Sequence, residues 1–165
     1  MGTINRKPVV ASGGGSGAAT GRLIGARCIA TGPQDIPTGT LTTLQQGTVP
    51  YDTDNFAAGT GGAGLMVPAG LGGIYAVAGW VAWTANTTGR RLLRTVGGPY
   101  QIREDRAAST TGSTFLSVYQ ETLLYEGDHI TLEVWQDSGE TLPTRHDAVV
   151  PYMACSLSLR RLGVL

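Results

Sequence analysis

The sequence predicts an all-β chain, either a sandwich or a barrel, and three observations predict it. After Leu23 no stretch keeps apolar residues at the 3.6-residue period of a helix. Glycine, proline and threonine punctuate the chain too densely for helices, with 25 glycines in 165 residues. Two long segments alternate apolar and polar residues with the period of two that a half-buried strand requires.

The expected strands follow in order. Arg22 to Ala30 is the first. Thr40 to Val49, rich in threonine with Leu41 and Leu44 apolar, is the second, and Gly64 to Pro68 is a short third. Gly73 to Trp83 is the longest apolar run, with Ile74, Val77, Trp80, Val81 and Trp83. Strands apolar on both sides are usually central and covered on both faces. Arg90 to Val96 follows the polar turn Asn86-Thr87-Thr88-Gly89. Thr114 to Tyr125 puts Leu116, Val118, Gln120, Thr122 and Leu124 on one face, with Phe115, Tyr119, Leu123 and Tyr125 on the other. His129 to Gln136 puts Ile130, Leu132 and Val134 on one face and Thr131, Glu133 and Trp135 on the other. Val150 to Leu162 closes the chain, with Met153, Cys155, Leu157 and Leu159 alternating. The aromatic rows Tyr119 with Tyr125, and Trp135 beside Glu133, are predicted to face away from the core. Such rows mark a subunit interface or a second buried layer.

Residues 1–22 differ from the body at 23–165. The run Ser12-Gly13-Gly14-Gly15-Ser16-Gly17 has the composition of a flexible linker. It sets off an arm holding Ile4, Arg6, Lys7, Val9 and Val10. Extended, the arm reaches roughly 70 Å, and two readings are open for it: a docking segment or a disordered tail.

Composition excludes several classes of function. Twelve basic and twelve acidic residues give zero net charge, and charged residues make up only 15% of the chain. Nucleic acid and anionic membrane both demand clustered Lys and Arg, so neither is expected as a partner. No run is long and apolar enough for a transmembrane helix, and Met1 to Val10 lacks the apolar stretch of a secretory signal. Cys28 and Cys155 sit in apolar strand-like segments and have no metal-ligand spacing. They read as buried thiols, with a bridge between the first and last strands left open.

The turns and their flanks carry a resemblance. In order they are Ala26-Arg27-Cys28, Ile36-Pro37-Thr38-Gly39-Thr40, Tyr51-Asp52-Thr53-Asp54, Val67-Pro68-Ala69-Gly70, Gly73-Ile74-Tyr75-Ala76-Val77, Trp83-Thr84-Ala85-Asn86, Thr88-Gly89-Arg90-Arg91, Glu126-Gly127-Asp128-His129 and Val134-Trp135-Gln136-Asp137-Ser138-Gly139. Together they resemble the jelly-roll domain of the tumour-necrosis-factor and complement-globular-head superfamily. More narrowly, they are similar to its versions in virion proteins of phages that infect actinobacteria. The resemblance implies a ten-stranded, two-sheet jelly roll forming a tight homotrimer, with Tyr75, Tyr119, Tyr125 and Trp135 as candidates for its interface. It further implies a virion role, either a capsid decoration (cement) protein bound to the major capsid protein or a receptor-binding module of a tail tip or head fibre. Relatives at a tail tip carry a long N-terminal attachment region, whereas the arm here is short, which favours decoration. For the receptor-binding alternative, a host carbohydrate would use exposed aromatics, with Trp135, Tyr119 and Tyr100 as candidates.

Chemistry is sparse. His129 and His146 are the only histidines, and neither belongs to a nucleophile or metal motif. Asp128 and Asp147 are the acids beside them, but no Gly-x-Ser-x-Gly elbow is present. The glycine run lacks the lysine of a phosphate loop. No enzymatic activity and no cofactor are therefore expected. Asp52, Asp54 and Asn55 offer three oxygens where calcium takes six to eight, so they read as a turn capping its own backbone. Arg90, Arg91 and Arg94 are expected to pair with carboxylates across a subunit interface, or to bind phosphate or an acidic cell-wall polymer.

Overall fold

The computed structural model describes residues 22–99, 101–146 and 154–164. Residues 1–21 of the expected arm, Tyr100, Asp147 and Met153 lie outside the described residues. Among those described there is no helix, and twelve strands form. They are β1 (Gly25–Ile29), β2 (Asp35–Ile36), β3 (Thr42–Thr43), β4 (Thr48–Asp52), β5 (Leu65–Met66), β6 (Gly73–Ala82), β7 (Arg90–Val96), β8 (Arg103–Ala107), β9 (Phe115–Leu124), β10 (His129–Gln136), β11 (Leu142–Pro143) and β12 (Ser156–Val164).

Two antiparallel five-stranded sheets result. The first runs β4-β1-β12-β6-β9; the second runs β3-β10-β7-β8, with β5 also paired to β10. Strands β11 and β2 form a separate two-stranded ribbon. The alternating segments do what their period predicts. In β9, Leu116, Val118 and Leu124 are buried while Phe115 and Tyr119 are exposed. In β10, Ile130, Leu132 and Val134 point inward and Trp135 points out. Val77, Val81, Leu157 and Leu159 of the first sheet meet Leu93, Leu132 and Val134 of the second in one core. Phe56 and Tyr75 meet edge-on in the same core, with ring centroids 6.1 Å apart.

Two glycines make room for close neighbours. A Cβ on Gly79, inside β6, would lie 2.5 Å from Leu132 Cδ2, so glycine is what admits the leucine of the facing sheet. Gly97 has φ near 103°, and a Cβ there would overlap the carbonyl of His129 on β10.

Three expectations need correction. The single strand expected over Thr40 to Val49 is two, because the chain changes sheets there. Thr42 and Thr43 pair with β10, and Thr48 onward pairs with β1. Between them Leu44 enters the core and the Gln46 N–H donates to Gly62 O at 2.6 Å. Strand β8, with the sequence Arg-Glu-Asp-Arg-Ala, was not expected, because an edge strand with so few apolar residues shows no hydrophobic alternation. Tyr75, a candidate for the subunit interface, is fully buried within the chain and its hydroxyl donates to Leu71 O at 2.6 Å. It has no surface to offer a neighbour.

The cysteines are free and buried. Ala30 N–H donates to Cys155 O, so Cys155 stands opposite Ala30, whereas Cys28 stands opposite Leu157. The Cys28 thiol donates to Gln46 Oε1 at 3.4 Å, and burial pushes its pKa up to about 12. A raised folded pKa means that this thiol's contribution to stability holds below its ordinary value of 9.0 and falls as pH climbs toward 12. Neither thiol should react with a soluble disulfide reagent in the native protein, and both should react in denaturant. Rapid native labelling, or a pair that stays silent after denaturation, would contradict this.

Candidate functional site

Large apolar side chains are distributed unevenly over the surface. Among the described residues, those left exposed are Val49 and Tyr51 on β4, Ile74 on β6, Phe115 and Tyr119 on β9, and Leu162 and Val164 on β12, with Leu23, Leu41 and Tyr125. Leu23 precedes β1 and Tyr125 follows β9. Only Leu41 therefore lies away from the first sheet and its flanks. A solvent-facing sheet normally turns polar residues outward, so this face is built to be covered.

Its geometry follows from register. One row crosses all five strands: Tyr51, Arg27, Ser158, Ala78 and Tyr119 stand side by side. The next row sets Ser156, Trp80 and Ser117 together. Trp80 stacks with Phe115 at 6.0 Å between centroids. Small residues on β12 and β6 make a floor between aromatic walls at the two edges, enclosing a groove of about 470 Å³. A polar belt crosses below it, where Arg160, Ala76 and Glu121 align. Tyr119 is 62% exposed, and its hydroxyl donates to Glu121 Oε1 at 3.0 Å. That hydrogen bond to the carboxylate, more than burial, raises the tyrosine's pKa. Beyond the belt, Ile74, Leu162 and Val164 form a second apolar band.

The expected interface residues thus separate. Tyr119 and Tyr125 lie on or beside the first sheet. Trp135 stands on the outer face of the second sheet, across the sandwich from them. There it pairs in register with Leu92, which pairs with Asp105. Leu41, Leu92, Arg94, Arg103, Asp105 and Trp135 line a groove of about 320 Å³. Sequence reading singled out Trp135 but missed Arg103 and Asp105, which lie on the unexpected strand β8.

The arginines do not wait for a neighbouring subunit, contrary to expectation. Arg90 Nε donates to Asp105 at 2.9 Å, and Arg94 Nε donates to Glu133 at 2.8 Å, both within the chain. Arg91 is fully buried. It lies 5.6 Å over the Trp83 ring and donates to Thr88 O, Arg90 O and Asn86 Oδ1. Burial pulls its pKa below the usual arginine value. The acidic turn caps itself as expected: the Asp52 carboxylate accepts from the N–H groups of Phe56 and Ala57, both at 2.9 Å. Asp54 accepts from Thr53 and Arg22, and these contacts lower its pKa. His129 and His146 do not meet in any cluster of metal-ligating side chains among the described residues.

Solved structures place this architecture. The chain superposes on the phage PRD1 vertex protein P5 with a TM-score of 0.57 and 18% identity, covering 86% of this chain and 73% of that one. It is a tumour-necrosis-factor-like jelly roll. Murine APRIL matches with a TM-score of 0.61 and 14% identity over 86% of this chain and 100% of its own. The globular domain of zebrafish complement 1qA matches with a TM-score of 0.61 and 10% identity over 86% of this chain and 99% of its own. No protein-family model and no curated protein matches the sequence. At these identities the likeness is one of fold.

Proposed function

We propose that the protein is a structural component of a phage virion: a homotrimer that decorates the outer capsid surface and stabilises the shell. The virion part is supported by the likeness to the PRD1 vertex protein P5 and by the resemblance to actinobacteriophage virion proteins. The trimer part is supported by the apolar outer face of the first sheet, which a single chain leaves uncovered. A cyclic assembly covers such a face without leaving an open end. Tyr119, Tyr125 and their neighbours then belong to the subunit interface. In this reading Ile4, Arg6, Lys7, Val9 and Val10 of the arm grip the major capsid protein. Many modest contacts acting together hold the shell.

The deciding experiment is the copy number of this chain in purified virions, by quantitative mass spectrometry against the shell protein. A number comparable to that of the shell subunit is expected. A chain missing residues 1–21, which keeps the Arg22–Asp54 ion pair, should lose capsid binding and stay trimeric. Absence from the particle would overturn the virion reading, and unchanged binding would overturn the role of the arm. A handful of copies per particle would move the protein to a tail tip or fibre. That second reading, recognition of a host-surface carbohydrate, is favoured by one observation: the open groove beside Trp135.

A further inference from the structure

The Trp135 groove carries more than a half-buried aromatic. On this outer face β7 and β8 contribute Arg90, Arg94 and Arg103, and β8 and β10 contribute Asp105 and Glu133. Arg90 takes Asp105 and Arg94 takes Glu133. Arg103 is left over: it stands beside Arg94 in register and has no carboxylate partner among the described residues. The groove thus has an apolar side made by Trp135, Leu92 and Leu41, and a cationic side headed by Arg103.

We infer that this groove binds an acidic sugar, with a hexuronic acid as the ligand class. The inference rests on the carbohydrate reading above and adds the kind of sugar. The flat C–H face of a pyranose ring covers the indole of Trp135. The ring's carboxylate meets the fork of Arg103, whose planar donors match a carboxylate at two points. Asp105, held in place by Arg90, accepts a ring hydroxyl. A neutral sugar would bury part of a cation without neutralising it, and a bare anion would leave the indole and the leucines wet. The volume, near the lower end of the usual range for ligand pockets, suits a single ring. A trimer would present the groove in three copies, raising avidity for a repeating acidic polymer.

The test uses the full chain labelled with ¹⁵N. Its three tryptophans carry one indole N–H each, and Trp135→Phe identifies the signal from the groove. Glucuronate, galacturonate, glucose and acetate are titrated in turn. At least one uronate should shift the Trp135 signal with a roughly millimolar dissociation constant. Glucose and acetate should bind about tenfold more weakly or less, as for any site that needs both halves of its ligand. Arg103→Gln, at an exposed position, should weaken the uronate about tenfold, to the level of glucose. If glucose binds as well as the uronates and Arg103→Gln changes nothing, the acidic specificity is wrong while the carbohydrate reading stands. If acetate matches the uronates, the groove is an anion site and the proposal fails. If no sugar moves the Trp135 signal, this proposal and the carbohydrate reading both fall.

Discussion

In the proposed trimeric assembly, Tyr119→Asp should leave the protein monomeric at micromolar concentration. Tyr119 ends the row that crosses the first sheet from Tyr51, and its ring is among the most exposed on that face. Covered by a neighbour, an aspartate at this position would be a buried charge without a partner. It would also stand two residues from Glu121, the present acceptor of the tyrosine hydroxyl. The loss is on the order of 3 kcal/mol per interface, at least a hundredfold in association. Sedimentation equilibrium reads the change directly. Arg103→Gln, on the opposite face, should remain trimeric and serves as the control. A trimer that survives Tyr119→Asp with unchanged affinity would show that the apolar face of the first sheet is not where copies meet.

Arg91→Ala should be the most damaging single change to the fold. The guanidinium is fully buried, lies over Trp83 and joins two stretches of chain: the turn at Asn86 and Thr88, and the start of β7. Truncation opens a cavity beside the indole and leaves the carbonyls of Thr88 and Arg90 without their donor. Together these are expected to destabilise by on the order of 4 kcal/mol, lowering Tm by roughly 12 °C for a domain of this size. Arg91→Lys should lie between the two, because an ammonium cannot reach several acceptors with a planar fork. Thermal unfolding followed by circular dichroism is sufficient. A fall in stability of less than about 1 kcal/mol would mean that the surrounding turn finds other donors.

Much of the candidate site was legible in single strands. The alternation in Thr114 to Tyr125 and His129 to Gln136 is enough to place Tyr119 and Trp135 on outer faces. The roles given to Tyr75 and to the arginine cluster were not legible. Tyr75 follows the exposed Ile74 by one position in β6, and in a strand with apolar residues on both sides the pattern does not say which set faces inward. For the arginines, the partners Asp105 and Glu133 are distant in sequence. No local spacing signals those pairs.

By itself the sequence determined the class of the described chain: strands without helices, the turn positions, the inward sets of Thr114 to Tyr125 and His129 to Gln136, and the burial of both cysteines. Those properties depend on residues that are neighbours in sequence, through side-chain period and backbone preference. The tertiary structure alone decided which outer faces lie together. Only after β4, β1, β12, β6 and β9 align do scattered residues such as Tyr51, Phe115, Tyr119, Ile74 and Leu162 become one apolar face. Likewise, Arg103 comes to stand beside Trp135, with no carboxylate partner among the described residues, only when β8 pairs with β7. Strand order and register are long-range choices, made by the core as it packs. The surfaces available to a subunit or a ligand are consequences of those choices.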